Sequence, residues 1–276
     1  MNQELSLTFI GGGNMASALA SGLIGKRCGA SDVHVIDINP GQLEHWRGMG
    51  VSTATAPDET MSAHRIWIFA VKPQVMKETV AQCRPFLRPD TLVISIAAGI
   101  KSNTLAGWLG QEQPWTRLVR CMPNTPALIG AGASGLLALA GVSEDDKAAA
   151  QLLFKAVGEY VWVESDQQLD AVTALSGSGP AYVFLFLEAL IQGGIDLGLD
   201  AEQARKLALA TLNGATQLAA LSPESPETLR ERVTSKGGTT AAALSIFQQQ
   251  GFSTLVQQAM RSAYDRAGEL AVELAK

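Results

Sequence analysis

Short apolar runs alternate with helical stretches up to about residue 165, and after Asp166 the strand signals stop. This change of rhythm constrains the fold more than any other feature. Regular alternation of strand and helix is the pattern of a parallel sheet wound by helices. Candidate strands cover Leu5–Ile10, Val33–Asp37, Arg65–Val71, Thr91–Ile96, Leu118–Met122, Gly135–Leu139 and Tyr160–Val163. Helical segments fall between them near Asn14–Ile24, Gln42–Gly48, Gln74–Phe86 and Glu144–Val157. The last opens with Ser143 followed by three carboxylates, Glu144, Asp145 and Asp146, which suit the positive end of a helix dipole. Beyond the change, helices are expected at Gln167–Leu197, Ala201–Leu221, Pro226–Val233, Thr239–Gln250 and Ser253–Leu274, with Asp200 and Gln203 as a capping pair.

The first strand runs into the first helix through LTFIGGGNMASAL. Gly11, Gly13 and Ala16 stand in G-x-G-x-x-A spacing, so the N-terminal part is expected to be a Rossmann-type, mostly parallel sheet domain over residues 1–165. An all-α domain is expected over 166–276. Gly11 permits the tight turn, Gly13 lets a pyrophosphate approach the backbone, and Ala16 keeps helix and strand close. The free N–H groups at the helix start, from Asn14 and Met15 onward, then face the phosphates. Asp37 ends the next strand, where a carboxylate can accept hydrogen bonds from ribose hydroxyls. These residues point to a nicotinamide dinucleotide. Asp37 repels the extra phosphate of NADP, and Ile38-Asn39-Pro40-Gly41 contains no arginine to receive it. NADH is therefore slightly favoured, with Arg47 further along and able to swing in.

Composition excludes several classes. The net charge is −5 with no basic run, which disfavours nucleic acid and anionic membrane as partners. Met1–Thr8 lacks the pattern of a signal peptide. The most apolar stretch, Tyr182–Ile191, is short for a bilayer and carries Glu188. Cys28, Cys83 and Cys121 show no CxxC spacing, and His34, His45 and His64 no ligand spacing, so no metal is expected. A cytoplasmic protein follows. Charged residues make up 17% of the chain, below the ~25% usual for soluble domains. A large buried core or a partner subunit covering apolar helix faces accounts for that deficit, the second being favoured, as does a helical protein simply rich in alanine.

Four further motifs follow in order: FAVKPQ (Phe69–Gln74), SIAAGI (Ser95–Ile100), RCMPNTPALIGAG (Arg120–Gly132) and ALSGSGPAYVF (Ala174–Phe184). VTSKGGTTAAAL (Val233–Leu244) completes the set. In this order and spacing they resemble pyrroline-5-carboxylate reductase over essentially the whole chain. The resemblance implies reduction of the cyclic imine 1-pyrroline-5-carboxylate to L-proline with NAD(P)H, the last step of proline biosynthesis. It also implies a helical domain that builds a homodimer, with larger rings of dimers in the family. Active sites then form where one subunit's nucleotide domain meets its partner's helices. One departure is Lys236, where the family usually has proline before the two glycines.

Ser235, Gly237, Gly238, Thr239 and Thr240 combine exposed amides with a helix start, which suits an anion. Together with the resemblance this assigns the loop to the substrate carboxylate. Thr240 is the expected catalytic position, hydrogen-bonding the ring nitrogen and orienting an iminium rather than acting as a strong acid. Val71, Lys72 and Pro73 line the nicotinamide half of the cleft, Lys72 through its backbone. Asn124 is a candidate cofactor or loop-positioning residue. Ser176–Pro180 interrupts a long helical pattern, as a close backbone approach to the other domain or as a plain kink. Two other classes fit part of the pattern. Hydroxyacid dehydrogenases would use Lys206 and Asn213 on one helix face, and a nucleotide-binding sensor would lack turnover.

Overall fold

Four apolar runs, β1 (Leu7–Ile10), β2 (Val33–Ile36), β4 (Ile66–Phe69) and β5 (Leu92–Ser95), are buried at every position. Strands of that kind need helices on both faces. The computed structural model, which describes residues 5–275, supplies them. The first four residues of the Met1–Thr8 stretch therefore lie outside the described residues. With β3 (Ser52–Ala54), β6 (Leu118–Met122), β7 (Gly132–Ala138) and β8 (Gly158–Trp162), the strands form one sheet in the order β3-β2-β1-β4-β5-β6-β7-β8. All neighbours are parallel except β6 and β7.

Because side chains alternate along a strand, each strand feeds two cores. Phe9, Val35, Ile68 and Ile94 pack on one face with α1 (Asn14–Leu23), α2 (Pro40–Gly48) and α5 (Glu144–Lys155). Ile10, Ile36, Trp67, Phe69 and Val93 pack on the other with α3 (Pro73–Cys83) and α4 (Ser102–Leu109). Ser143 caps α5 as expected, in a reciprocal capping box with Asp146. Two elements were not anticipated. β3 is three half-polar residues that pair with β2 through backbone and through a 3.0 Å hydrogen bond between His34 Nδ1 and Ser52 Oγ. In α4, Leu105, Ala106 and Leu109 repeat too briefly to announce a helix by period alone.

The helical part comprises α6 (Asp166–Val172), α7 (Gly179–Asp196), α8 (Ala201–Leu221), α9 (Pro226–Arg232), α10 (Thr239–Gln249) and α11 (Phe252–Leu274). Asp200 and Gln203 cap α8 reciprocally, as expected. Between α6 and α7 the backbone widens into a single π-turn, Thr173–Gly177, closed by the Ser178 N–H donating to the Thr173 carbonyl at 2.8 Å.

By internal contacts the chain divides into two compact units, Met1–Ser178 with Ala263–Lys276, and Gly179–Ser262. The composition change at 165 thus precedes this division, since α6 and the π-turn group with the sheet. The C-terminal segment returns to the loop after β5, where a Cβ on Gly99 would lie 3.1 Å from Leu270 Cβ and 3.2 Å from Leu274 Cδ1 of α11.

Candidate functional site

Gly11 leaves β1 with φ +99°, and a Cβ there would lie 2.8 Å from the Ala70 carbonyl carbon at the end of β4. Both the conformation and the strand-to-strand approach require glycine. At Gly13, the N-cap of α1, a Cβ would meet nothing within 4 Å. The first turn of α1 has no side-chain cap and no acidic residue, so its N–H groups, including those of Asn14 and Met15, stand available to an anion. A pyrophosphate fits this cradle.

Asp37 is half-buried beside it. Its Oδ2 accepts the Gly12 N–H at 2.7 Å and its Oδ1 the Asn39 N–H at 2.8 Å. Each carboxylate oxygen carries two lone pairs, so acceptor capacity remains for ribose hydroxyls. Beyond the carboxyl ends of β1, β2 and β4 lies a cleft of about 240 Å³ lined by Ile38, Thr55, Pro57, Val71, Val75 and Thr79, with Asp37 and Glu78 as its carboxylates. An apolar slot beside a ribose-binding acid has the composition of an adenosine site. Lys72 is the exposed N-cap of α3 and Pro73 its first residue, so this pair shapes the mouth of the cleft through backbone geometry.

Asn124 is buried after β6. Its amide nitrogen donates to the Ser176 carbonyl at 3.0 Å and its oxygen accepts the Ala133 N–H at 2.9 Å. Each end of the side chain thus holds one backbone group, with a second N–H and a second lone pair left. A Cβ at Gly177 would lie 2.5 Å from the Met122 methyl. The close approach at Ser176–Pro180 is therefore to the end of β6, which lies in the expected 1–165 domain and in the same compact unit as the π-turn. Single π-turns of this kind occur preferentially at functional sites.

A buried ionic network holds this region and was not anticipated. Arg120 on β6, 4% exposed, pairs with Asp166, which also accepts the Ser102 N–H and hydroxyl, the latter at 2.7 Å. Asp170 lies one turn further along α6. Burial pushes its carboxyl up, Arg120 and Lys101 pull it down, and Asp166 adds to the rise. Elsewhere in the sheet unit a fully buried carboxylate, Asp146, accepts Arg65 at 2.6 Å and Arg117 at 2.8 Å. Burial alone would raise it, but the Arg117 and Ser143 hydrogen bonds outweigh that and hold it below the usual carboxylate range. Such networks escape sequence inspection because their members lie 29 to 81 residues apart.

The second unit carries the 235–240 loop. Gly237 has φ +73°, Gly238 caps α10 with its N–H donating to the Ser235 carbonyl at 3.0 Å, and Thr239 and Thr240 open the helix. Ser235 and Thr239 are exposed and Thr240 half-buried. No acidic residue occupies the first turn of α10. The loop thus has the shape and charge of an anion cradle. Lys236 is exposed within it, adding a cation.

Comparison with known proteins now decides the family. The chain is 44% identical over 269 residues to pyrroline-5-carboxylate reductase of Pseudomonas aeruginosa, covering 97% of both proteins. The chain belongs to the pyrroline-5-carboxylate reductase family. Members are NAD(P)H-dependent oxidoreductases of the final step of proline biosynthesis. The solved reductase of Coxiella burnetii superposes with a TM-score of 0.89 at 37% identity, over 98% of this chain and 99% of that one. That of Plasmodium falciparum, solved with NADP bound, gives 0.85 at 28% identity, over 98% and 99%. Residues 166–270 match the family model "Pyrroline-5-carboxylate reductase dimerisation", and residues 6–99 match "NADP oxidoreductase coenzyme F420-dependent".

Membership accounts for the helical surface, and the chain is oligomeric. No residue of α7 is buried, and Phe184, Leu185, Leu207, Leu218 and Leu255 are more than half exposed. The stretch Asp166–Asp196 is long and apolar enough to cross a membrane by length and composition. The most apolar stretch read from sequence, Tyr182–Ile191, is the central part of this longer helix. The dimerisation match begins at the same residue, 166. Lys206 and Asn213, which a hydroxyacid dehydrogenase would need, are both exposed on α8.

Proposed function

We propose that this protein reduces 1-pyrroline-5-carboxylate to L-proline with NADH in preference to NADPH, in the cytoplasm, as a homodimer or a ring of such dimers. The observation that carries the chemistry is the pair of anion cradles: glycine-rich, uncapped helix starts at Gly11–Met15 and at Gly237–Thr240. One suits a pyrophosphate and the other a small carboxylate.

When bound, the reduced coenzyme supplies the hydride. The chain's own residues do the rest. Gly11, Gly13, Asn14 and Met15 hold the pyrophosphate through backbone, and Asp37 accepts from the ribose. Val71 lines the cleft beside Asp37, on the adenosine side rather than the nicotinamide half expected from sequence, Lys72 and Pro73 shape its mouth, and Asn124 fixes the loop after β6. Ser235, Gly237, Gly238 and Thr239 hold the substrate carboxylate, with Lys236 adding attraction. The Thr240 hydroxyl oxygen accepts from the iminium N–H and keeps the ring oriented. By family resemblance, this loop serves the nucleotide domain of the partner subunit.

Asp37 supports the choice of NADH, and Glu78 places a second carboxylate in the same cleft, which further disfavours an added phosphate. Free, dispersed Cys28, Cys83 and Cys121 agree with a reducing compartment. The test is consumption of reduced coenzyme with pyrroline-5-carboxylate, run in parallel with NADH and NADPH. Turnover with a higher kcat/KM for NADH is expected. No turnover with either defeats the proposed activity, and a strong preference for NADPH defeats the coenzyme assignment alone.

A further inference from the structure

Of the two tryptophans buried without any exposure, Trp46 and Trp67, only Trp46 spends its N–H on the glycine loop. It sits on α2, on the core-facing side, and its indole Nε1 donates to the Gly12 carbonyl at 3.0 Å. Asp37 Oδ2 accepts the N–H of the same residue at 2.7 Å. Gly12 is therefore gripped at both ends, its N–H by Asp37 and its carbonyl by Trp46. There is no slack at the contact, since a Cβ on Gly12 would lie 2.7 Å from the indole nitrogen and 3.0 Å from Val35 Cγ1.

The consequence follows from peptide geometry. In a planar trans peptide the C=O of one residue and the N–H of the next point in opposite directions. Holding the Gly12 carbonyl inward, against the α2 side of the core, turns the Gly13 N–H outward. Gly13 is where a Cβ would meet only open space, the point of closest approach for an anion. A three-glycine run is conformationally loose on its own, and ordering it on binding would cost affinity.

We propose that Trp46 is a positioning residue for the coenzyme. Its indole N–H pre-orients the Gly12–Gly13 peptide, so that the glycine loop meets the pyrophosphate already in its binding conformation. This rests on Gly11–Gly13 being the phosphate loop.

Trp46→Phe removes the donor and keeps most of the packing. The dissociation constant of the reduced coenzyme, read from nicotinamide fluorescence, should rise about fivefold, the typical effect of one lost neutral hydrogen bond. KM for the coenzyme should rise with it, while kcat at saturating coenzyme and KM for the imine stay within about twofold. Trp67 provides the control, because its N–H serves the Met61 and His64 carbonyls away from the loop. Trp67→Phe should lose thermal stability and leave coenzyme affinity within about twofold.

Should Trp46→Phe fail to fold, the sulfur isostere β-(3-benzothienyl)alanine at position 46 keeps both rings and lacks only the N–H. The same fivefold weakening is expected. Unchanged coenzyme affinity in either folded variant overturns the role of Trp46, as does equal weakening by Trp67→Phe. Failure of the unaltered protein to bind either coenzyme overturns instead the phosphate-loop assignment beneath it.

Discussion

The two units of this chain solve burial in opposite ways. The sheet unit encloses nearly all of the buried side chains, with Phe9, Trp46, Trp67, Phe69 and Phe154 fully inside. In the helical unit, Gly179–Ser262, Ala204 and Ala208 are the only buried hydrophobics among the described residues. Its larger side chains stay uncovered, from Val183, Phe184 and Leu185 on α7 to Ile246 and Phe247 on α10. A sheet wrapped on both faces satisfies its own hydrophobic surface, whereas these helices keep large apolar side chains exposed within the single chain. The difference teaches that the first unit carries its stability within itself and the second draws it from assembly.

Breaking the self-sufficiency of the sheet unit should have the largest effect. Arg120→Ala leaves Asp166 without its cation beside Asp170. A loss of about 3–5 kcal/mol is expected in denaturant unfolding, because removing one partner strands a buried charge. A loss under ~1 kcal/mol would mean that the network is solvated and contributes little.

The dependence of the helical unit on assembly is tested by Leu185→Asp, at a side chain 69% exposed in the single chain. Helix content should be unchanged. A carboxylate forced into an apolar interface costs roughly 3 kcal/mol, or about a hundredfold in association, visible as dissociation in sedimentation velocity. An unaltered oligomer would place the interface on another face.

The two cradles can then be separated kinetically. Thr240→Ala, in the helical unit, should lower kcat by about 10–100-fold with coenzyme affinity unchanged. Near-normal turnover removes Thr240 from the chemistry. Asp37→Ser, in the sheet unit, should shift the NADH-to-NADPH ratio of kcat/KM roughly tenfold towards NADPH, since one repelling charge is gone. Serine retains an acceptor for the Gly12 N–H, so the loop should keep its conformation.

The smallest effect is a pH dependence of the sheet unit. His34 is 1% exposed and stacks on His64 with ring centroids 5.9 Å apart. Burial lowers both rings, against the pull of Asp58 on His34 and of the Thr60 carbonyl on His64. The unfolded chain then binds protons more readily than the folded one. The stability that comes from keeping these rings neutral is present above about pH 6.5 and is lost as pH falls below it. The melting temperature should decline over that interval in the native protein and less steeply in His34→Gln. Parallel slopes would assign the decline to other groups.

The strand–helix rhythm, the glycine turn, the caps at Ser143 and Asp200 and the helical second half could all be read along the chain, because each is written within a few consecutive residues. β3 could not, since Ser52–Ala54 is a strand only by virtue of its neighbour β2. Nor could the π-turn that carries the expected helix through Ser176–Pro180, which Asn124 just after β6 and the close approach of Gly177 to Met122 hold in place. The roles of Trp46 and Arg120, and the hydrogen bond of Asp37 to Gly12, likewise needed partners brought from far along the chain.

Local order and chemistry, then, were determined by the amino-acid sequence itself: turn geometry, helix ends and apolar period depend on residues three or four apart. Tertiary structure alone decided which polar groups meet. Hydrogen bonds and ion pairs act over about 3 Å, and only folding brings residues such as Gly12 and Trp46, or Arg120 and Asp166, within that reach.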